Sequence, residues 1–192
     1  LCHLYLAVLP YCQRLRFASQ LIWKWNEMMS DTSALQWSCK PFAALSVVEL
    51  YQILHWRQHV FVVEQACAYP DADGLDPECL HLSLNNDCGE LLAYARLLPP
   101  GVQGQEPAIG RVLVARQYRR QGLGRALMLR ALDELAQRYP GQAVQVAAQL
   151  YLHDFYRSLG FAAIGEPFDE DGIPHLRMCR PTWPARRSGE QL

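Results

Sequence analysis

Residues 111–127 read RVLVARQYRRQGLGRAL, and this stretch decides the fold. An apolar strand leads through a basic turn to Gly122 and Gly124, which open a strongly helical segment. The basic side chains around these glycines belong to Arg119, Arg120 and Arg125. The first N–H groups of a helix lack partners within the helix, and the helix dipole makes that end positive. Because glycines let a phosphate reach those N–H groups, the stretch predicts a diphosphate site.

Two familiar phosphate loops do not fit this stretch. A P-loop needs Gly-Lys followed by Ser or Thr, whereas Gly124 is followed by Arg125 and Ala126. The dinucleotide fingerprint needs a third glycine where Leu127 stands and an acidic residue after the next strand, whereas Glu134 lies on the helix. From the local pattern alone, a glycine pair that caps an arginine-rich surface helix remains an alternative.

The remaining pattern predicts an antiparallel meander followed by alternating strands and helices, which is an α/β, or mixed α+β, layout. The predicted strands span 35–40, 80–84, 91–98, 108–115, 144–147, 161–164 and 175–179. The predicted helices span 46–63, 122–139 and 150–159. A capping box from Ser46 to Glu49 marks the first helix start, and apolar residues at helical spacing follow it.

The composition is that of a globular protein, with 192 residues of which 51% are hydrophobic and 19% charged. A formal net charge of -1 leaves no basic excess for phosphates, which excludes a general nucleic-acid binder. The apolar residues 1–10 are too few to cross a membrane, and no membrane partner is expected. Seven cysteines without a C-x-x-C pair favour reduced thiols and a cytoplasmic protein.

The domain organisation predicted from the sequence has three parts. Residues 1–30 form an N-terminal extension, residues 31–182 a single domain, and residues 183–192 a tail. Leu1 is not a methionine, whereas 28–29 are both methionine, so the extension is interpreted as lying upstream of the native start. The alternative is a short amphipathic arm whose helical face carries Phe17, Leu21, Ile22 and Trp25.

The stretch from Arg119 to Gly124 resembles motif A of the GNAT N-acetyltransferase superfamily, Gln/Arg-x-x-Gly-x-Gly/Ala. The preceding residues 112–114 resemble the central strand of that family, and 149–161 resemble its downstream element. The resemblance covers about residues 35–180. It implies the GNAT fold, in which a central, mostly antiparallel sheet with a splayed parallel strand pair is flanked by helices.

Scattered blocks resemble one subfamily more closely, the ElaA-type GNAT proteins. These blocks are Phe61-Val62-Val63-Glu64-Gln65, Tyr69-x-Asp71-x-Asp73-Gly74, Ala93-Tyr94-Ala95-Arg96, Ile109-Gly110-Arg111-Val112 and Glu170-Asp171-Gly172-Ile173-Pro174-His175. They stand in the order that the subfamily has along its whole domain.

The family resemblance also implies where acetyl-CoA binds. The diphosphate is expected on the backbone N–H groups of Arg119, Arg120, Gln121, Gly122, Leu123 and Gly124, with Arg125 nearby. The pantetheine arm is expected to pair like an extra strand with Val112, Leu113 and Val114. The N–H of Val114 is expected to face the thioester oxygen and stabilise the oxyanion. Gln149 stands where many relatives have the asparagine that contacts the pantetheine.

The same resemblance makes Tyr156 the candidate general acid, since a phenol of pKa about 10 is protonated at neutral pH. On the pattern alone, Tyr156 is better interpreted as a core residue of an apolar helix face. Glu64, His81 and His175 are candidate bases, and transfer of the amine proton through water is a further option. Asp71, Asp73, Asp76, Glu170 and Asp171 either attract a cationic amine or form ordinary polar loops.

The resemblance therefore implies an N-acetyltransferase that moves the acetyl group of acetyl-CoA to a primary amine by direct attack in a ternary complex. The acceptor, a small molecule or a peptide, stays open, as does a homodimer. The alternatives are a non-catalytic coenzyme-A-binding sensor or interaction module and a transferase for a longer acyl-CoA. No metal is predicted: His55 and His59 lack the metalloprotease glutamate, and Cys67, Cys79 and His81 lack a fourth ligand.

Overall fold

The computed structural model describes residues 35–182, so the predicted N-terminal extension and C-terminal tail lie outside the described residues. The strands are β1 (Gln36–Pro41), β2 (Leu80–Asn85), β3 (Leu91–Leu98), β4 (Ala108–Val114), β5 (Val144–Gln149), β6 (Ala162–Ala163), β7 (Phe168–Glu170) and β8 (Ile173–Arg180). The α-helices are α1 (Val47–Arg57), α2 (Leu123–Arg138) and α3 (His153–Ser158). A π-helical segment (Gln58–Glu64) extends α1, and 3-10 turns lie at Phe42–Ala44, Asp76–Glu78, Arg116–Tyr118 and Leu150–Leu152.

The strands form one sheet in the order β1-β2-β3-β4-β5-β8-β6, with β7 paired to β8. Among the described strands, β4 and β5 make the parallel pair, and the other neighbours are antiparallel. β4 and β5 are in register at Ala108 and Gln145 alone, so they separate towards their C-terminal ends. This confirms the predicted fold, a mostly antiparallel sheet with a splayed parallel pair and flanking helices.

Helix α1 begins at the predicted capping box. The Ser46 hydroxyl accepts the Glu49 N–H at 3.2 Å, and a Glu49 carboxylate oxygen accepts the Ser46 N–H at 2.8 Å. The helix was expected to run on to residue 63 as one α-helix. Instead the chain widens into the π-helical segment after Arg57, which changes the phase of the side chains that follow. This segment ends at Glu64, beside the β4 terminus.

Strand β3 forms the centre of the core, and all of its residues are buried. On one face, Tyr94 and Leu113 pack with Ile53 and Val60 from α1 and the π-helical segment. On the other face lies α2, whose buried stripe includes Leu127, Met128, Ala131, Leu132 and Leu135. A strand buried on both faces reads as a continuous apolar run, which explains why 91–98 shows little alternation.

The acidic residues Glu170 and Asp171 belong to a β-hairpin and not to an irregular polar loop. β7 and β8 pair from Phe168–His175 to Glu170–Ile173, which leaves Asp171 and Gly172 as the two turn residues. Both have positive φ, +52° and +81°, as a tight two-residue hairpin requires. The Asp-Gly pair is the sequence signal that identifies such a turn. β6 has two residues, whereas the sequence predicts 161–164; Phe161 instead donates its N–H to the Tyr156 carbonyl at 3.2 Å and so closes the end of α3.

Within residues 35–182, none of the helices combines the length and the apolar character that crossing a membrane requires.

Candidate active site

The splay between β4 and β5 opens a cleft at the C-terminal ends of the two strands. Val114 ends β4 and Gln149 ends β5, and their only register pair lies at the opposite end of the strands. The chain leaves Val114 through a basic loop into α2 and leaves Gln149 through a short turn into α3. The cleft therefore brings together two segments that the sequence analysis singled out separately.

The N–H and C=O of Val114 face this cleft. Ala115 donates its N–H to the Leu92 carbonyl at 2.9 Å, which makes Ala93 and Val114 a non-hydrogen-bonded pair. Backbone groups of such a residue point away from the partner strand, here towards the side from which β5 has splayed. The Val114 carbonyl accepts a hydrogen bond from Arg119 Nε at 2.9 Å. The Val114 N–H is thus directed at the cleft.

Leu113 is oriented differently from its two neighbours. It pairs with Tyr94, so its backbone groups face β3, and its side chain is buried in the core. Val112 and Val114, in contrast, are only partly buried. A strand-like ligand in the cleft therefore meets the backbone of Val112 and Val114, while Leu113 holds the strand in place.

The N-terminus of α2 has the features of an anion site. Gly122 caps it with φ +82°, without a side-chain cap and without an acidic residue in the first turn. The first helical hydrogen bonds come from the N–H groups of Arg125 and Ala126 to the Gly122 carbonyl, at 3.0 and 3.1 Å. Arg120, with φ +64°, supplies a second left-handed residue in the loop. Alternating left-handed residues turn successive N–H groups to one side, which favours an anion.

Gly124 places this helix end against the cleft. A Cβ added there would lie 3.8 Å from Val114 Cγ2 and 3.9 Å from Phe155 Cζ. The helix start, the end of β4 and α3 therefore meet at one point. A diphosphate on the helix N-terminus would lie next to the strand end that carries the Val114 N–H.

The three arginines of the basic loop have different surroundings. Arg119 makes a two-point ion pair with Glu64, at 2.5 and 3.0 Å, in addition to its bond to the Val114 carbonyl. Arg125 donates to Ser158 Oγ at 3.1 Å and is exposed, as is Arg120. Arg119 is thus a structural tie between the π-helical segment and β4. The hydrogen bond from Arg119 lowers the pKa of Glu64, which keeps this carboxylate ionised.

Tyr156 lies on α3 and is 5% exposed. Its ring makes edge contacts with Phe155 and Phe161, with centroids 5.2 and 5.9 Å apart. Burial raises the pKa of Tyr156 to about 12, so the phenol is protonated at neutral pH. Tyr156 therefore packs as a core residue and at the same time keeps the proton that an acid needs.

Of the histidines predicted as bases, His81 has both ring nitrogens engaged. Its Nδ1 lies 2.9 Å from the Tyr94 hydroxyl and its Nε2 3.1 Å from the Asp76 carbonyl, and burial lowers its pKa. In His175, the hydrogen-bond partner fixes the tautomer of the ring, because Nδ1 lies 2.8 Å from the Ile173 carbonyl. A carbonyl only accepts, so Nδ1 donates, and the neutral ring has its lone pair on Nε2.

Gln149 lies at the end of β5, between the cleft and β8. His175 is the register partner of Gln149, at the end of β5. The side chains of Gln149 and Gln65 exchange hydrogen bonds at 3.2 and 3.3 Å, and the Tyr151 hydroxyl donates to Gln149 at 2.5 Å. The structure therefore brings Glu64 and Gln149 to the ends of β4 and β5, places His175 on β8 across β5 from the cleft, and leaves His81 in the interior.

Sequence reasoning missed a buried group of charges, here called the arginine–aspartate network. It consists of Arg57, Arg96 and Arg111 with Asp71, Asp73 and Asp76. Asp71 lies between Arg57 Nε at 2.8 Å and Arg111 Nε at 2.7 Å, and Arg96 meets Asp73 at 2.6 Å. These carboxylates are neutralised in place and do not form an open acidic surface for a cationic amine. Two features of the sequence could have indicated this network: Arg57 lies within an amphipathic helix, and Arg96 lies within an apolar strand.

We expect acid to weaken the fold through this network. Burial disfavours the ionised form of Asp73, but hydrogen bonds from Arg96 outweigh it and hold its pKa at about 2; the Asp76 pKa is also lowered. A carboxyl whose folded pKa is depressed stabilises the fold above its unfolded pKa of about 3.9 and loses that contribution as pH falls towards the folded value. The melting temperature should therefore drop between about pH 4 and pH 2, less steeply in Asp73→Asn. If the melting temperatures of wild type and Asp73→Asn fell equally steeply with decreasing pH, this expectation would be contradicted.

A sheet of this topology, with a helix-end anion site beside a splayed strand pair, defines an acyl-CoA N-acyltransferase fold. Residues 77–180 match the model of the acetyltransferase (GNAT) domain, which is more than half of the chain. The chain belongs to the GNAT acetyltransferase family and is an acyltransferase.

Individual relatives place the chain more closely. It is 40% identical over 149 residues to protein ElaA of Escherichia coli, covering 76% of this chain and 96% of that protein. It is 46% identical over 147 residues to a UPF0039 protein of Schizosaccharomyces pombe, covering 76% and 97%. An acyl-CoA N-acyltransferase from Pseudomonas aeruginosa superimposes with a TM-score of 0.73 at 44% identity, covering 77% and 99%. The structure of E. coli ElaA superimposes with a TM-score of 0.71 at 39% identity, covering 76% of this chain and 99% of that one. These relatives confirm the predicted ElaA-type resemblance.

Proposed function

We propose that this protein is an N-acetyltransferase that transfers the acetyl group of acetyl-CoA to a primary amine by direct attack in a ternary complex. One observation carries the proposal: an uncapped helix N-terminus, free of acidic residues, lies against the end of a strand whose N–H faces an open cleft. The first part can hold a diphosphate, and the second can hold an acyl carbonyl. Coenzyme A thioesters carry both groups.

The donor would extend from the helix end along β4. The diphosphate would accept hydrogen bonds from the N–H groups at 120–124, with the exposed Arg120 and Arg125 adding positive charge. The amide groups of the pantetheine arm would pair with the backbone of Val112 and Val114, on the edge that β5 leaves open. Gln149 would face the arm from the opposite wall of the cleft.

In the reaction, the amine nitrogen attacks the thioester carbonyl, a C–N bond forms and the C–S bond breaks. The Val114 N–H would stabilise the negative charge that develops on the carbonyl oxygen. Tyr156 would donate its proton to the departing thiolate. The burial that raises the phenol pKa also makes a thiolate in the same cleft more basic, because both groups are less stable as anions there.

The amine must lose one proton, and we propose that Glu64 or His175 takes it, directly or through water. The pair with Arg119 keeps Glu64 ionised at neutral pH but makes it a weaker base. His175 has its Nε2 lone pair available in the neutral ring, since Nδ1 donates to a carbonyl. The acceptor is a small molecule or a peptide. A cytoplasmic location is in keeping with the free thiols of Cys39, Cys67, Cys79, Cys88 and Cys179.

Acetyl-CoA should raise the melting temperature of the full chain, because a ligand that binds the folded state stabilises it. At a concentration of about 100 times Kd the expected gain is about 2.7 kcal/mol, or several degrees for a chain of this size. Release of free thiol from acetyl-CoA is then measured with a panel of amines, and competition with longer acyl-CoAs tests the donor. No shift at saturating acetyl-CoA would refute the proposal. A shift without thiol release for any amine would favour a coenzyme-A-binding module.

A further inference from the structure

Strand β4 contains one residue more than the stretch of β3 that faces it. Between the pairs Tyr94–Leu113 and Arg96–Gly110, β3 has a single residue and β4 has two. The extra residue forms a β-bulge at Arg111, whose φ is +50°. This is the left-handed region, which a residue with a Cβ rarely adopts unless its surroundings hold it there.

The bulge decides which N–H of β4 faces the cleft. Without the extra residue, Leu113 would stand opposite Ala93, where Val114 now stands. A slip of one residue exchanges the two sides of a strand, so the N–H of Leu113 would replace that of Val114 at the cleft. The Leu113 side chain would also leave its cluster with Tyr94 and turn to the opposite face of the sheet. The orientation of Val114 therefore depends on a bulge three residues before it.

The side chain of Arg111 is held at several points. Its Nε donates to Asp71 Oδ1 at 2.7 Å, and its Nη2 lies 3.3 Å from both the Asp71 carbonyl and Asp73 Oδ2. Its guanidinium also lies over the ring of Tyr69, 5.5 Å from the centroid. Asp71 is 4% exposed and is held from the other side by Arg57 at 2.8 Å. A backbone in an unfavourable conformation is thus tied to a buried, rigid partner.

We propose that Arg111 is a positioning residue for acyl transfer: its ion pair with Asp71 maintains the β4 bulge and thereby directs the Val114 N–H at the thioester carbonyl. The inference rests on the proposed function, because Val114 acts only if the donor lies along β4. Arg111 acts through the backbone, and its guanidinium binds Asp71 and Asp73 instead of the cleft. The diphosphate site on α2 is separate from the bulge. Loss of the pair should therefore reduce kcat and leave coenzyme binding nearly intact.

The test uses Arg111→Met in the full chain. Methionine keeps a Cβ and an apolar stem but cannot pair with Asp71, so nothing offsets the unfavourable φ of +50° and the bulge should be lost. We expect kcat to fall about tenfold to hundredfold, since a misplaced oxyanion donor loses much of its effect. The acetyl-CoA-induced melting shift should keep its wild-type size. Arg111→Lys keeps the charge but not the forked contact with Asp71. Its kcat should lie between that of wild type and that of the first variant. Arg130→Gln, which breaks the surface pair with Glu134 on α2, is the control and should leave kcat unchanged.

A second measurement reads the strand register directly. The Hα atoms of Ala93 and Val114 approach closely in a non-hydrogen-bonded antiparallel pair, so wild-type protein should give an NOE between them. This NOE should weaken in Arg111→Met. An NOE of wild-type strength in the variant, or an unchanged kcat, overturns the proposal. If wild-type protein releases no thiol with any amine, the proposed function fails, and the NOE still decides whether Arg111 maintains the bulge.

Discussion

Replacing Tyr156 with phenylalanine should lower kcat about 100-fold or more, because a positioned general acid contributes about 10² to 10⁴ in rate. Tyr156 is buried between Phe155 and Phe161, so phenylalanine fills the same space and the fold should persist. The melting shift produced by acetyl-CoA should persist as well, because the proposed diphosphate site lies on α2. Thiol release is measured under saturating acetyl-CoA, so that kcat is compared and not binding.

The pH dependence provides an independent check on Tyr156. Since its pKa is raised to about 12, the phenol stays protonated well above neutral pH. Loss of this proton should therefore not reduce the rate up to about pH 10. Tyr139→Phe, at the far end of α2, is the matched control and should behave like wild type. If Tyr156→Phe has wild-type kcat, Tyr156 is a core residue alone and another group, or water, protonates the thiolate.

Gly124→Asp should abolish the stabilisation by acetyl-CoA without destabilising the protein itself. An acidic residue in the first turn of a helix interacts favourably with the helix dipole, by about 0.3–1 kcal/mol. The space around Gly124 admits a Cβ, with the nearest contacts at 3.8 and 3.9 Å. The new carboxylate would, however, occupy the helix N-terminus and repel a diphosphate. The melting temperature of the free protein should stay the same or rise, while the shift of several degrees on adding acetyl-CoA disappears.

Two control variants separate the effect of the new charge from the effect of the added side-chain volume. Gly124→Ala adds the Cβ without the charge and should retain most of the melting shift. Gly104→Asp adds the same charge at an open position in the β3–β4 turn, where no atom lies within 4 Å of an added Cβ. It should retain the full shift. If Gly124→Asp still responds to acetyl-CoA like wild type, the diphosphate does not bind at α2, and the glycine pair is only a helix cap.

Much of the fold could be predicted because its signals are local. The capping box of α1 links residues three positions apart, and the helix after Gly122 follows from its own apolar stripe. The β7–β8 hairpin could also have been found, since the Asp171-Gly172 pair is a local turn signal. The π-helical segment could not, because a single wide turn shifts the apolar positions by about one residue, which seven residues are too few to reveal.

The candidate site was less accessible to sequence reasoning. The glycine loop follows from the local pattern, whereas Val114, Gln149 and Tyr156 came from the family resemblance. The structure brings the loop, Val114 and Gln149 to the open ends of β4 and β5, and it buries Tyr156 in α3 beside them. The pattern did not indicate that Glu64 pairs with Arg119, which is 55 residues away. Nor did it indicate that Arg111 reaches back 40 residues to Asp71. An ion pair leaves no periodic trace in a sequence, and only the packed sheet determines which charges meet.

By itself, the sequence determined the order of strands and helices, the helix starts and the glycine loop at α2, because backbone propensity, capping and hydrophobic periodicity act over a few neighbouring residues. Only the tertiary structure decided which N–H of β4 faces the cleft. That choice depends on a β-bulge maintained by side chains from distant segments, and β5 leaves the cleft open because it pairs with β4 at one end alone. Long-range pairing sets register, and register sets the direction of every backbone donor in the site.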